Sequence, residues 1–149
     1  MLIGEICNRD VIVMTRQESI VDAARLMREQ HVGSIVVADK PDGERVPLGM
    51  LTDRDVAIEI VARGVEPNSV TVGDAMSQEL LAVAESDGLL DGLRRMRERG
   101  IRRAPVVNEH GGLVGIITLD DILEIVAEQL FDIVNLMNRG QRRERHARP

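Results

Sequence analysis

GMLTDRD at Gly49–Asp55 and GIITLDD at Gly115–Asp121 share one spacing: Gly, two apolar residues, Thr, two further positions, then Asp. A chain that spells the same thing twice is read first for an internal repeat. Sliding the sequence by 69 positions sets IGEICN (Ile3–Asn8) on VGDAMS (Val72–Ser77). It also sets SIVDAARLMREQHVGSIVV (Ser19–Val37) on GLLDGLRRMRERGIRRAPV (Gly88–Val106). Past the unequal segments DKPDGERVPL and NEHGGLV the offset becomes 66, and Gly49, Thr52 and Asp55 meet Gly115, Thr118 and Asp121. This order of matches, with one short length change in a turn, predicts two copies of one unit. A unit of about 60 residues is too small to bury a good core alone, so the copies are expected to pack on one another. The boundaries read as 2–64 for the first repeat, 71–130 for the second and 131–149 for a helix extension with an Arg-rich tail. The joint falls at Arg63–Ser69, where Gly64 can end a helix and Pro67 blocks its continuation.

Within the first copy, the β-branched run Asp10–Thr15 predicts a strand. Ile20, Ala23, Ala24 and Met27 have helical spacing over Ser19–Gln30, with Ser19 as N-cap. Gly33–Asp39 and Leu48–Thr52 read as strands about a turn at Asp42–Gly43, and Asp53–Ala62 as the closing helix. The second copy repeats this β-α-β-β-α order, with a turn at Gly111–Gly112 and a last helix from about Asp120 to Met137 or Asn138. Ile122, Ile125, Val126, Leu130, Ile133, Val134 and Met137 are more apolar surface than one small core needs. Two readings stay open: the helix caps its own repeat, or it joins a dimer. The segment NRGQRRERHARP is expected to be a polar, irregular tail.

Composition narrows the function classes. Of 149 residues, 44% are hydrophobic and 30% charged, the profile of a folded soluble chain. No apolar run approaches the roughly 20 residues that span a bilayer, so no membrane is expected. No secretory signal is read at the N-terminus. Cys7 is the single cysteine, which excludes an internal disulfide and makes the cytoplasm the simplest compartment. A net charge of −6 opposes nucleic-acid binding, which draws on phosphate neutralisation. Phe131 is the only aromatic besides histidine, so there is no stacking platform for single-stranded bases.

The doubled motif admits two readings. Thr52-x-x-Asp55 and Thr118-x-x-Asp121 lie between a strand and a helix, where Thr and Asp three positions apart form a capping box. The same geometry presents free N–H groups, a hydroxyl and a carboxylate at a crevice. Such groups hold phosphate, and a carboxylate can accept the hydroxyls of a ribose.

The whole pattern resembles the tandem CBS (cystathionine β-synthase) domain pair, or Bateman module, over nearly the whole chain. The resemblance rests on the two G-x-x-T-x-x-D motifs, on IRRAPVV at Ile101–Val107, and on the repeated lead-in at Gly4 and Gly73. With LTDRD, the chain is similar to stand-alone bacterial CBS-pair proteins of the hypoxic-response and signalling type. The resemblance implies an α+β fold of two β-α-β-β-α repeats with pseudo-two-fold symmetry and a long C-terminal helix. It implies clefts that take AMP, ADP, ATP, NAD or S-adenosylmethionine as a regulatory ligand, with no required cofactor. The motif Asp would hold ribose, basic residues phosphate, and aliphatic side chains the adenine.

Carried over residue by residue, the favoured cleft uses Ile116, Ile117, Thr118 and Asp121, with Arg102 of the same repeat and Arg54 and Ile12 of the other. The second cleft uses Met50, Leu51, Thr52 and Asp55, with Leu81, Arg102 and Arg103 reaching over. The counterpart of Arg54 is Asp120, and those of Arg102 and Arg103 are Gly33 and Ser34, so phosphate is expected at Asp121. The resemblance also implies a homodimer and, for a signalling module, a protein partner. The alternative is an interaction protein with empty clefts.

Catalytic and metal constellations are absent from the pattern. His31, His110 and His146 are isolated, with no second ligand at metal spacing. Cys7 has no neighbouring base and aligns with Met76, which favours packing. Met14, Met27, Met50 and Met96 read as core. The chain is therefore expected not to be an enzyme.

Overall fold

The computed structural model describes residues 1–40 and 44–148. It forms two compact units, Met1–Ile117 and Thr118–Pro149. The expected turn at Asp42–Gly43 lies outside the described residues.

The first unit holds two three-stranded sheets of the same order, β1-β2-β3 and β4-β5-β6. These are β1 (Val13–Met14), β2 (Ser34–Asp39) and β3 (Val46–Thr52), then β4 (Val83–Ala84), β5 (Arg103–Val107) and β6 (Leu113–Thr118). β1 runs parallel to β2 with Met14 opposite Val37, and β4 runs parallel to β5 with Val83 opposite Val106. These pairs are equivalent in the two copies. β2 and β3 are antiparallel, with Val36 opposite Met50.

β1 is shorter than the β-branched run Asp10–Thr15 predicts, and β4 is equally short. Backbone amides just before β1 are used locally: Asp10 N–H donates to the Asn8 side chain at 2.9 Å and Val11 N–H to the Arg9 carbonyl at 3.0 Å. Leu80 N–H likewise donates to the Gln78 carbonyl at 3.0 Å. A ladder cannot start until these local bonds end.

α2 (Ile20–Gln30) begins where its sequence predicts, with the Ser19 hydroxyl accepting from Asp22 N–H at 3.0 Å. It stops at His31, which is left-handed at φ 54°; the equivalent helix α5 (Leu89–Arg99) stops at Gly100, φ 63°. The closing helix of the first copy departs from expectation. Only Asp53–Asp55 (α3) is α-helical, and Val56–Val61 winds as a π-helix, with Ala62 N–H bonded to the Ala57 carbonyl at 2.9 Å.

Two four-residue helices escape the sequence pattern, α1 (Ile3–Ile6) and α4 (Val72–Ala75). Each leads into one repeat yet docks on the other. Val72 and Gly73 N–H groups donate to the Glu18 and Arg16 carbonyls at 2.8 and 2.9 Å. Ile3 and Gly4 make the equivalent bonds to Asp87 and Glu85, both at 2.9 Å. The Val72 side chain is fully buried among Met14, Ile20, Leu51 and Ile60, so the first repeat's core is completed by a residue of the second. Full burial of one Val is worth roughly 1.5–3 kcal/mol. The four methionines read as core are all buried.

The second unit is one helix, α6 (Leu119–Ala147), capped by Thr118. It runs past the Met137–Asn138 end that its apolar spacing predicts and takes in most of the segment expected to be irregular. Gln, Arg, Glu and Ala are good helix formers, and late arginines complement the negative end of the helix dipole. No helix among the described residues is long and apolar enough to cross a membrane.

Candidate functional site

The two motifs form the same box. The Thr52 hydroxyl accepts from Asp55 N–H at 3.1 Å, and Asp55 Oδ2 accepts from Thr52 N–H at 2.8 Å. The Thr118 hydroxyl accepts from Asp121 N–H at 3.2 Å, and Asp121 Oδ2 accepts from Thr118 N–H at 2.9 Å and from the Thr118 hydroxyl at 2.6 Å. Both boxes are part-buried. In both, Oδ2 closes the cap, and Oδ1 accepts no hydrogen bond among the described residues. A third box of the same kind opens α4 on the open surface: Thr71 N–H donates to Asp74 Oδ2 at 3.0 Å. The Thr71 backbone N–H and then its side chain hold the Asp74 carboxyl below the ordinary value of 3.8.

The motif glycines make room for the lead-in of the other repeat. Ser77 N–H donates to the Met50 carbonyl at 2.9 Å, and Asn8 N–H to the Ile116 carbonyl at 2.9 Å. A Cβ on Gly49 would collide with the Ser77 carbonyl and lie 3.0 Å from Met76 Sδ. A Cβ on Gly115 would lie 2.7 Å from Cys7 Sγ and 2.9 Å from the Asn8 carbonyl. Cys7 and Met76, aligned in sequence, therefore occupy equivalent places over the two motifs.

A cavity of about 400 Å³ lies beside Asp55. Its polar lining is rich in acid: Asp55, Glu59 and Asp74, with Arg63 held by Glu59 at 3.0 Å. Met76 and Ser77 close one side. Of the residues expected around Asp55, neither Met50, Leu51 and Thr52 nor Leu81, Arg102 and Arg103, expected to reach over it, are part of this lining. Leu81 is half-buried just before β4, and Arg103 opens β5. The lead-in residues Asp74, Met76 and Ser77 line it, and the signal for them is the tight glycine at Gly49.

Burial separates the other expected contacts. Leu51 and Ile117 are 0% exposed, so they offer only backbone to a ligand. Met50 is also buried, while Ile116 is half-buried and Ile12 packs partly against the first core. Arg54 is exposed on α3, and Arg102 is exposed just before β5. Among the described residues no group of three or more His, Cys, Asp or Glu could hold a metal.

A family model, the CBS domain, matches residues 3–62 and again 72–128. The chain is 38% identical over 123 residues to the uncharacterized protein MK0525 of Methanopyrus kandleri, covering 83% of this chain and 61% of that protein, so that relative extends well beyond the match. It is 36% identical over 124 residues to hypoxic response protein 1 of Mycobacterium tuberculosis, covering 83% and 84% of the two chains. A crystal structure of Hypoxic Response Protein I with two coordinated zinc ions superposes with a TM-score of 0.73 at 34% identity, covering 83% of this chain and 98% of that one. The CBS domain pair of protein MJ0100, in complex with 5′-methylthioadenosine and S-adenosyl-L-methionine, has the same fold at a TM-score of 0.74 and 22% identity, covering 87% and 98%.

Proposed function

The chain belongs to the CBS domain family, and on that premise we propose that it is a regulatory module whose motif crevices take an adenosine-type ligand. Asp55 and Asp121 accept the ribose hydroxyls. The observation that carries this reading is the division of labour within each motif carboxylate: Oδ2 closes the helix cap, and Oδ1 is left to accept from a ligand. A carboxylate oxygen that is part-buried and not hydrogen-bonded gains most from a donor brought by a ligand.

Charge divides the two motifs. The Asp55 cavity gathers three carboxylates against one guanidinium already held by Glu59, which opposes phosphate and favours a neutral or cationic adenosyl group. Phosphorylated ligands are assigned to the Asp121 motif instead. The module works in the cytoplasm, as a dimer that passes its ligand state to a protein partner.

A second reading has one observation behind it. The Thr71–Asp74 box shows that the same residue pair caps a helix outside the repeated motif. On that reading the chain is an interaction protein with empty crevices.

The purified protein separates them. With no Trp and no Tyr the chain is nearly dark near 280 nm, so bound adenine stands out at 260 nm. Mass spectrometry of acid-released small molecules then identifies it. A dark protein whose melting temperature is unmoved by AMP, ATP, NAD or S-adenosylmethionine overturns the ligand reading.

A further inference from the structure

The closing helix of the first copy carries one residue more than its counterpart. Counted from the motif threonines, Val56 matches Ile122, Glu59 matches Ile125 and Ile60 matches Val126. In α6 the inward positions are Ile122, buried, and Ile125, half-buried, three apart, while Val126 is 43% exposed. In the first copy they are Val56, half-buried, and Ile60, 3% exposed, four apart, while Glu59 is exposed. The apolar residue of the inner face thus arrives one position late. The π turn at Val56–Val61 absorbs the difference. Ala62 N–H donates to the Ala57 carbonyl at 2.9 Å and Val65 N–H to the Ile60 carbonyl at 3.0 Å, each five residues back.

Two preferences oppose each other in this segment. α winding has the better backbone; π windings are rare and concentrate at functional sites. But one residue is about 100° around an α-helix. Continuous α winding from Thr52 therefore sets Glu59 where Ile125 stands and turns Ile60 out to where Val126 stands. A carboxylate then replaces an aliphatic chain on the inner face, which is costly without a partner. The π register avoids this. Ile60 completes the first core with Met14, Ile20, Leu51 and Val72, and Glu59 stays outside it, accepting from Arg63 at 3.0 Å. The end of the helix leaves room for either winding: Gly64 is left-handed at φ 66°, and a Cβ there would meet nothing within 4 Å among the described residues.

We infer that Val56–Val61 is a two-register switch, π or α, and that a ligand in the cavity beside Asp55 holds it in the π register. Glu59, Ile60 and Arg63 wall that cavity together with Asp55. α winding rotates those three side chains out of the wall, while Asp55 stays fixed in its box with Thr52. A ligand that touches them binds the π register better, and that difference in affinity is what shifts the balance. Ile58 and Val61, 42% and 70% exposed, belong to the same turn. A change of register therefore moves two apolar side chains at the surface, where another protein can read it. The inference rests on the reading of Asp55 as a ligand site and adds how its occupancy is passed on.

Scalar couplings across hydrogen bonds, measured by NMR on the full chain without ligand, identify the acceptor of the Ala62 amide. The acceptor is expected to be Ala57 in the wild type and in Glu59→Gln. In Glu59→Leu, where α winding no longer sets a carboxylate on the inner face, it is expected to be Ile58. 5′-Methylthioadenosine, which carries no phosphate and so suits the first motif, is then titrated into all three, with melting temperature as the readout. Glu59→Leu is expected to bind it more than about tenfold more weakly, and Glu59→Gln to retain the response. An Ala62 amide still bonded to Ala57 in Glu59→Leu, or an affinity there equal to that of the wild type, overturns the inference. No response in any of the three, the wild type included, overturns the ligand reading and the coupling with it; the Ala62 acceptor still decides the two registers.

Discussion

Ser77 donates its backbone N–H to the carbonyl of Met50 at 2.9 Å, two residues before the threonine of the first motif. Asn8 does the same to Ile116, two residues before the threonine of the second. Each motif strand is thus completed by the lead-in of the other copy. The repeats are not two independent folding units placed side by side, because each supplies part of its neighbour's sheet and core.

The close approach explains the motif glycines and is directly testable. Gly49→Ala must displace the Ser77 backbone, and Gly115→Ala must displace Cys7 and Asn8. Neither obstacle is the far end of a flexible side chain. Each substitution is expected to cost about 1–3 kcal/mol, seen as a lower midpoint in urea with unchanged slope. A midpoint equal to the wild type would show that the lead-ins are loosely held.

His31 and Gly100 end equivalent helices in the same left-handed conformation. A side chain there costs roughly 1–2 kcal/mol, offset in part by the smaller entropy loss of a non-glycine residue on folding. His31→Gly is therefore expected to stabilise by about 0.5–1 kcal/mol, and Gly100→Ala to destabilise by about 1 kcal/mol. Thermal melts of both variants check the pair of opposite signs.

The two motif boxes separate capping from ligand binding. Asp55→Ala and Asp121→Ala each remove the carboxylate half of a capping box and are each expected to cost about 0.5–1.5 kcal/mol. Both are also expected to abolish the adenosine-ligand shift in melting temperature. A ligand shift unchanged in both variants would reduce the motifs to helix caps.

Asp74 also sets a sign for acid stability. Its carboxyl is held below 3.8 by the Thr71 N–H and side chain, so this contribution is complete above 3.8 and is lost as pH falls through the lower folded value. The difference in melting temperature between wild type and Asp74→Asn is expected to be flat near neutral pH and to shrink only below 3.8. A difference that changes around neutrality would assign the effect to another group.

Much of this molecule is written in local pattern. The repeat, the order β-α-β-β-α, the Ser19 cap, the left-handed Gly64 and the Thr-Asp boxes depend on residues a few positions apart, and periodicity and capping chemistry report such neighbours directly. The sequence by itself also determined the buried methionines and the pairing of Cys7 with Met76 as equivalent positions. Tertiary structure alone decided where those elements go. α1 and α4 dock across the repeats because their backbone donors find carbonyls at Glu85 and Arg16, a choice made by long-range hydrogen bonding that no periodicity carries. The cavity beside Asp55 takes the third of its carboxylates from Asp74, which is nineteen positions away and arrives only with that exchange. Local physics fixes what each segment becomes. The need to satisfy backbone groups and bury two small cores together fixes which segment completes which site.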